Sequence, residues 1–163
     1  MSSYRTGAVA LGSNLGDREK TLASAVRGLE RAEGVTVLRR STWHETAPVG
    51  GPEGQPDFLN GAVSIETKLD PEELLQLLQE LERKAGRDRS AEVRNGPRTL
   101  DLDLLFLGEE VRDGQGLQLP HPRMGGRLFV LEPLCEVLPD AVLPGGAGTP
   151  RQLLERLHGE SSE

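Results

Sequence analysis

Residues 94–106 read RNGPRTLDLDLLF, and the fold turns on how this stretch is placed. From Thr99 onward it alternates. Leu100, Leu102, Leu104 and Phe106 fall on one face of an extended strand, and Thr99, Asp101 and Asp103 on the other. Side chains two apart on a strand point the same way, with roughly 6–7 Å between their Cα atoms. Two carboxylates at that spacing can converge on hard divalent cations. Magnesium is the usual guest where phosphates complete the coordination shell. Arg94 and Arg98 lie just upstream, and guanidinium forks bind phosphate oxygens bidentately. Aspartate on the polar face of a strand is ordinary by itself, so the pair gains its weight from the setting. Aspartate is a poor strand former, and two so close together need compensation. Gly96-Pro97 gives the strand an abrupt start that brings both arginines to the same end.

Working back from this strand, 7–11 (GAVAL) reads as a buried strand and 12–17 (GSNLGD) as a turn into a helix. The turn is glycine-rich but carries neither G-x-x-x-x-G-K-[ST] nor G-x-G-x-x-G, so an N-cap by Asn14 or Asp17 is favoured over a phosphate loop. Leu22, Val26 and Leu29 form the buried stripe of a helix that Gly34 stops. Residues 35–42 form a β-branched strand. The Pro/Gly-dense loop 46–56 (TAPVGGPEGQP) is too long for a hairpin turn and marks a functional or mobile loop. A third strand follows over 60–67. Asp70-Pro71-Glu72-Glu73 is a capped helix start, with Leu74, Leu77, Leu78 and Leu81 inward and Gly86 at the end. The next segment carries Arg87, Arg89, Arg94 and Arg98 straight into the carboxylate strand. The order β-α-β-β-α-β predicts a ferredoxin-like α+β sandwich with an antiparallel sheet. C-terminal helical additions follow: a helix over 123–138 interrupted near Pro133, and a short one opening at 149–152. We expect one domain over 1–158 and a frayed tail over 159–163.

The chain has 163 residues, enough for a real core. With three Phe, one Trp and one Tyr, that core must be built from aliphatic side chains. A net charge of −7 argues against a general nucleic-acid surface but not against a small anion held by local arginines. The single cysteine, Cys135, excludes an internal disulfide framework and a cysteine-based zinc site. No apolar run approaches the length of a membrane span, and no signal peptide is evident at the start. A cytoplasmic location is expected, with a monomer favoured and a dimer as the alternative. His121 sits between two prolines, as a surface or capping histidine or as a phosphate donor. Phe58 and Asn60 follow the Pro/Gly loop, as core and cap or as a ring and an amide for a flat heterocycle. Together these residues describe a small enzyme that handles a polyphosphate with magnesium. An RNA-binding module of the same element order would need aromatic residues where these strands carry carboxylates. A non-catalytic ligand sensor would bind the nucleotide without releasing product.

Four segments in order, ALGSNLGD, TAPVGGPEGQPDFLN, GRDRSAEVRNGPRTLDLDLLFLG and LPHPRMGGRLFVLEPL, resemble the 6-hydroxymethyl-7,8-dihydropterin pyrophosphokinases of folate biosynthesis. The resemblance runs from about residue 7 to residue 138. It implies a transfer of diphosphate from ATP to the pterin hydroxymethyl group, leaving AMP, with ATP and the pterin as the partners. It implies two magnesium ions on Asp101 and Asp103, and catalytic charge stabilisation by Arg87, Arg89 and Arg98. Gln79, Glu82, Arg94, Arg98, His121 and Arg127 would line the ATP side. Phe58 and Phe129 would sandwich the pterin, with Asn60, Thr46, Ala47 and Val49 reading its edges. The loops 49–55 and 87–95 would be lids. Phe58 where tyrosine often stands, Asn95 in place of a tryptophan and Pro122 in place of an aromatic depart from the family pattern.

Overall fold

The computed structural model describes residues 4–48, 51, 53–86 and 99–161. At its centre is β1 (Arg5–Ser13), flanked by α1 (Arg18–Arg31), β2 (Val35–Arg40), β3 (His44–Thr46), β4 (Phe58–Thr67), α2 (Pro71–Lys84) and β5 (Asp101–Leu107). The sheet order is β2-β4-β1-β5, every neighbour antiparallel, and β3 resumes the β2 edge of β4. This is the ferredoxin-like sandwich that the element order predicts. A small hairpin, β6 (Arg112–Asp113) with β7 (Gln118–Leu119), follows, then α3 (Leu128–Val137) and α4 (Pro150–Ser161).

Alternation on β1 sends Val9 and Leu11 to one face of the sheet and Ala8, Ala10 and Gly12 to the other. The first face packs on Leu22 and Leu29 of α1 and Leu74 and Leu78 of α2. The second is covered by Leu131, Leu134 and Val137 of α3 and Leu153 of α4. The helix starts behave as local chemistry dictates. Asp17 accepts from Lys20 N at 3.2 Å, and Asp70 and Glu73 form a reciprocal capping box.

Three boundaries differ from the sequence reading. Val9 pairs with Leu104 but Ala8 with Phe106, so Leu105 is an extra, bulged residue. One inserted residue inverts the side-chain parity. Leu100, Leu102 and Leu104 hold the first face as expected, whereas Phe106 joins Ala8 on the second. The break expected at Pro133 comes earlier: a 3₁₀ turn at Met124–Gly126 and an extended Arg127 precede α3, which runs through the proline. At the C-terminus α4 continues to Ser161, so Gly159 is helical rather than frayed. Among the described residues no helix is long and apolar enough to cross a membrane.

Candidate active site

One ladder row crosses the second face of the sheet. Gly12 of β1 pairs with Asp101 on one side and Asn60 on the other, and Asn60 pairs in turn with His44. In the next row Ala10 pairs with Asp103 and Ala62. Asp101 and Asp103 are therefore brought to the same face two residues apart, as the sequence predicts. From Asp101 to Asn60 is two strand spacings, about 10 Å. The backbone between them is bare. A Cβ on Gly12 would lie 3.2 Å from Asn60 Oδ1 and 3.7 Å from Phe58 Cδ1. Ala8, Ala62 and Phe106 are buried under α3 and α4, while Ala10, Asp101 and Asp103 stay partly exposed. The helices thus close one end of this face and leave the carboxylate end accessible.

The order of the strands makes β5 an edge, and a cleft of about 390 Å³ runs along it. Gln79, Asp103, Gln118, His121, Arg123 and Arg127 are among its lining residues. His121 N–H donates to Leu105 O at 2.7 Å, which fixes the segment after β7 to the bulge. Its Nδ1 accepts from Arg123 N at 3.2 Å. That bond sets the neutral tautomer, with the proton on Nε2 as a donor. Burial first, then the charges of Arg127 and Arg123, hold His121 below its ordinary 6.5, against an opposing pull from Asp101. Arg127 also lies over the Phe129 ring, 5.5 Å from its centroid, so it couples the cleft to the first turn of α3.

Gln79 and Glu82, both expected on the ATP side, stand in different surroundings. Gln79 lines the cleft, whereas Glu82 is 2 % exposed and its Oε2 accepts from Leu102 N at 2.9 Å. It holds the backbone between the two aspartates. On the opposite side, Asn60 Nδ2 donates to Thr46 Oγ1 at 2.6 Å, and Thr46 pairs with Phe58 across β3 and β4. Ala47 follows as an exposed residue. Helix α3, which carries Phe129, packs on β4 and β3. It is tethered there by Glu136, which accepts from Thr42 N at 2.8 Å and is bonded to His44 Nε2. Burial pushes the Glu136 carboxyl up, but the Thr42 and His44 contacts outweigh it and leave the group below its usual range. Arg87, Arg89, Arg94, Arg98 and Val49 lie outside the described residues.

Sequence reading missed three contributors. Gly12 reads as a turn residue and Asn14 as an alternative cap, and Glu136 drew no reading of its own. Only Asn14 left a signal: the turn offers two caps where one is needed.

Paired carboxylates on an edge strand, beside a cleft of arginine, glutamine and an uncharged histidine donor, define a phosphate-handling enzyme on a ferredoxin-like sandwich. Residues 8–139 match the family model of 7,8-dihydro-6-hydroxymethylpterin-pyrophosphokinase (HPPK). A Bacillus subtilis protein named 2-amino-4-hydroxy-6-hydroxymethyldihydropteridine pyrophosphokinase is 53% identical over 129 residues, covering 79% of this chain and 75% of that one. A Pseudomonas aeruginosa protein of the same name is 40% identical over 158 residues, 93% of this chain and 96% of its own. The chain therefore belongs to the HPPK family and is a pyrophosphokinase. Among solved structures, a Plasmodium falciparum HPPK-DHPS superposes with a TM-score of 0.74 at 12% identity, covering 99% of this chain. At that identity the match speaks to fold alone, and this chain spans 47% of that longer one.

Proposed function

We propose that this chain carries out its family's reaction with two magnesium ions held by Asp101 and Asp103. The reaction transfers the diphosphate of ATP to the hydroxymethyl group of 6-hydroxymethyl-7,8-dihydropterin, giving the pterin diphosphate and AMP, a step of folate biosynthesis. The observation that supports the reading is the row Asn60–Gly12–Asp101, which brings a buried amide and a partly exposed carboxylate to one face of the sheet. Two protein carboxylates suit magnesium, which keeps waters and takes its remaining ligands from phosphates. Bound there, the metal would neutralise phosphate charge and lower the pKa of the attacking hydroxyl.

The chain's own residues position and neutralise. Phe58 and Phe129 stack the pterin ring, and Asn60, Thr46, Ala47 and Val49 read its edges. Gln79 and Arg127 line the nucleotide side. His121 donates from Nε2 to a phosphate oxygen while itself uncharged. Arg87, Arg89, Arg94 and Arg98 add guanidinium charge as the bridging bond breaks. Catalysis is then positioning plus electrostatics, and no side-chain base is required. We further infer that the chain acts as a cytoplasmic monomer. The open β2 edge is kinked by the extra residue Leu38 and carries Arg39 and Arg40, features that discourage strand addition.

The test is incubation with ATP, magnesium and the hydroxymethyl pterin, with nucleotide products resolved by chromatography. AMP in step with pterin diphosphate is expected. ADP would indicate single phosphoryl transfer and reject the reading.

A further inference from the structure

We propose that Asn14 and Arg18 are positioning residues for the pterin side of the site, acting through the exit of the Pro/Gly loop. The inference rests on the functional reading above, because it concerns where the pterin's stacking ring is held.

Asp17 caps α1, so Asn14 is not needed as a cap. Its side chain turns the other way. Asn14 is 1 % exposed, and its Nδ2 donates to both Gln55 Oε1 and Pro56 O, each at 3.0 Å. A primary amide nitrogen has two hydrogens, and these two acceptors use both. Arg18, the first residue of α1, continues the grip. Its Nη1 donates to Asp57 O at 2.8 Å and pairs with Glu45 Oε1 at 3.0 Å. Three successive loop residues are thus held from one turn, and the next residue is Phe58, where β4 begins. Glu45 belongs to β3 and pairs with Leu59, so the same arginine also fixes the strand that carries Thr46.

The physical consequence concerns placement rather than chemistry. Gly12, two residues before Asn14, lies in ladder with Asp101 and beneath the Phe58 ring edge. The turn that follows β1 therefore sets the distance between the stacking ring and the carboxylates. Misplacing bound groups by about 1 Å can cost a hundredfold in rate. Neither Asn14 nor Arg18 needs to touch a ligand to have this effect.

The test compares Asn14→Ala, Gln55→Ala, Arg18→Ala and Arg18→Lys with the unaltered protein. The readouts are equilibrium pterin binding in the presence of a non-hydrolysable ATP analogue, separate binding of that analogue, and steady-state KM and kcat. Losing these bonds should weaken pterin binding about three- to tenfold in each alanine variant, the range of one or two net hydrogen bonds. Binding of the ATP analogue should stay within about twofold, because the nucleotide cleft lies on the far edge of β5. Arg18→Lys keeps a donor for Asp57 O and should recover part of the loss. Asn14→Ala combined with Gln55→Ala should cost less than the sum, since the two remove the same bond. Gln55→Ala leaves the buried amide in place, so it answers the question even if Asn14→Ala folds poorly. Unchanged pterin affinity in the variants, or equal losses for pterin and nucleotide, would overturn the inference alone. Failure of the unaltered protein to bind pterin would overturn the functional reading, and the inference with it.

Discussion

Asp101 and Asp103 differ from the other carboxylates of this chain by position rather than by type. They share one face of an edge strand, in register with Gly12 and Ala10, and Asp103 lines a cleft that also carries Arg123 and Arg127. Replacing Asp101 by Asn keeps the shape but removes the charge on which the proposed metal role depends. We expect kcat to fall by at least about a hundredfold with pterin affinity largely retained, read by steady-state kinetics and equilibrium binding. His121 allows a test by pH. Its pKa lies below the ordinary 6.5, so the folded state resists the proton that the unfolded chain accepts. The neutral imidazole's contribution is then complete above about pH 6.5 and fades as pH falls below it. Denaturant midpoints measured from pH 8 to pH 5 should decline over that lower window. The decline should be shallower in His121→Gln, and equal slopes would contradict the burial of a neutral ring.

At the scale of elements, α2 does two jobs on one face. Leu74 and Leu78 fill the core, and Glu82 reaches the outer edge of β5 to accept the Leu102 amide. An edge strand leaves alternate N–H groups without a ladder partner, and a buried orphan costs about 1–3 kcal/mol. Glu82→Ala should therefore lower stability by about that amount, measured by chemical denaturation. Glu82→Gln, which keeps an acceptor oxygen, should be milder. Helix α3 is fixed by different means. Glu136 ties it to Thr42 and His44, and Arg127 at its N-cap lines the cleft and lies over the Phe129 ring.

At the scale of the whole molecule, the fold solves a problem of two faces. A five-strand antiparallel sheet with one helical layer would leave its second face wet. Here α3 and α4 cover the end carrying Ala8, Ala62 and Phe106, and the end carrying Asp101 and Asp103 stays partly exposed. Both sheet edges are managed, β2 by its bulge and arginines and β5 by the cleft and Glu82. Sedimentation at micromolar concentration should accordingly give a single-chain mass. A concentration-dependent dimer would reject that expectation.

Much of this was readable before any coordinates. The alternation at 99–104, a cap at Asn14 or Asp17, the cap at Asp70 and the order of the elements together specify the sandwich, because each depends on residues within about one turn or one strand of each other. The pairing of Asp101 with Asp103 follows from the same local rule. What the chain alone did not disclose is longer in range. The extra residue Leu105 moves Phe106 to the opposite face, and that depends on its register with β1. Glu82 serves a backbone amide 20 positions away, and Asn14 holds a loop 41 and 42 positions away. A hydrogen bond across such a span leaves no periodicity in the sequence. Only the packed sheet, by bringing strand ends and turns together, determines which polar side chain meets which backbone group.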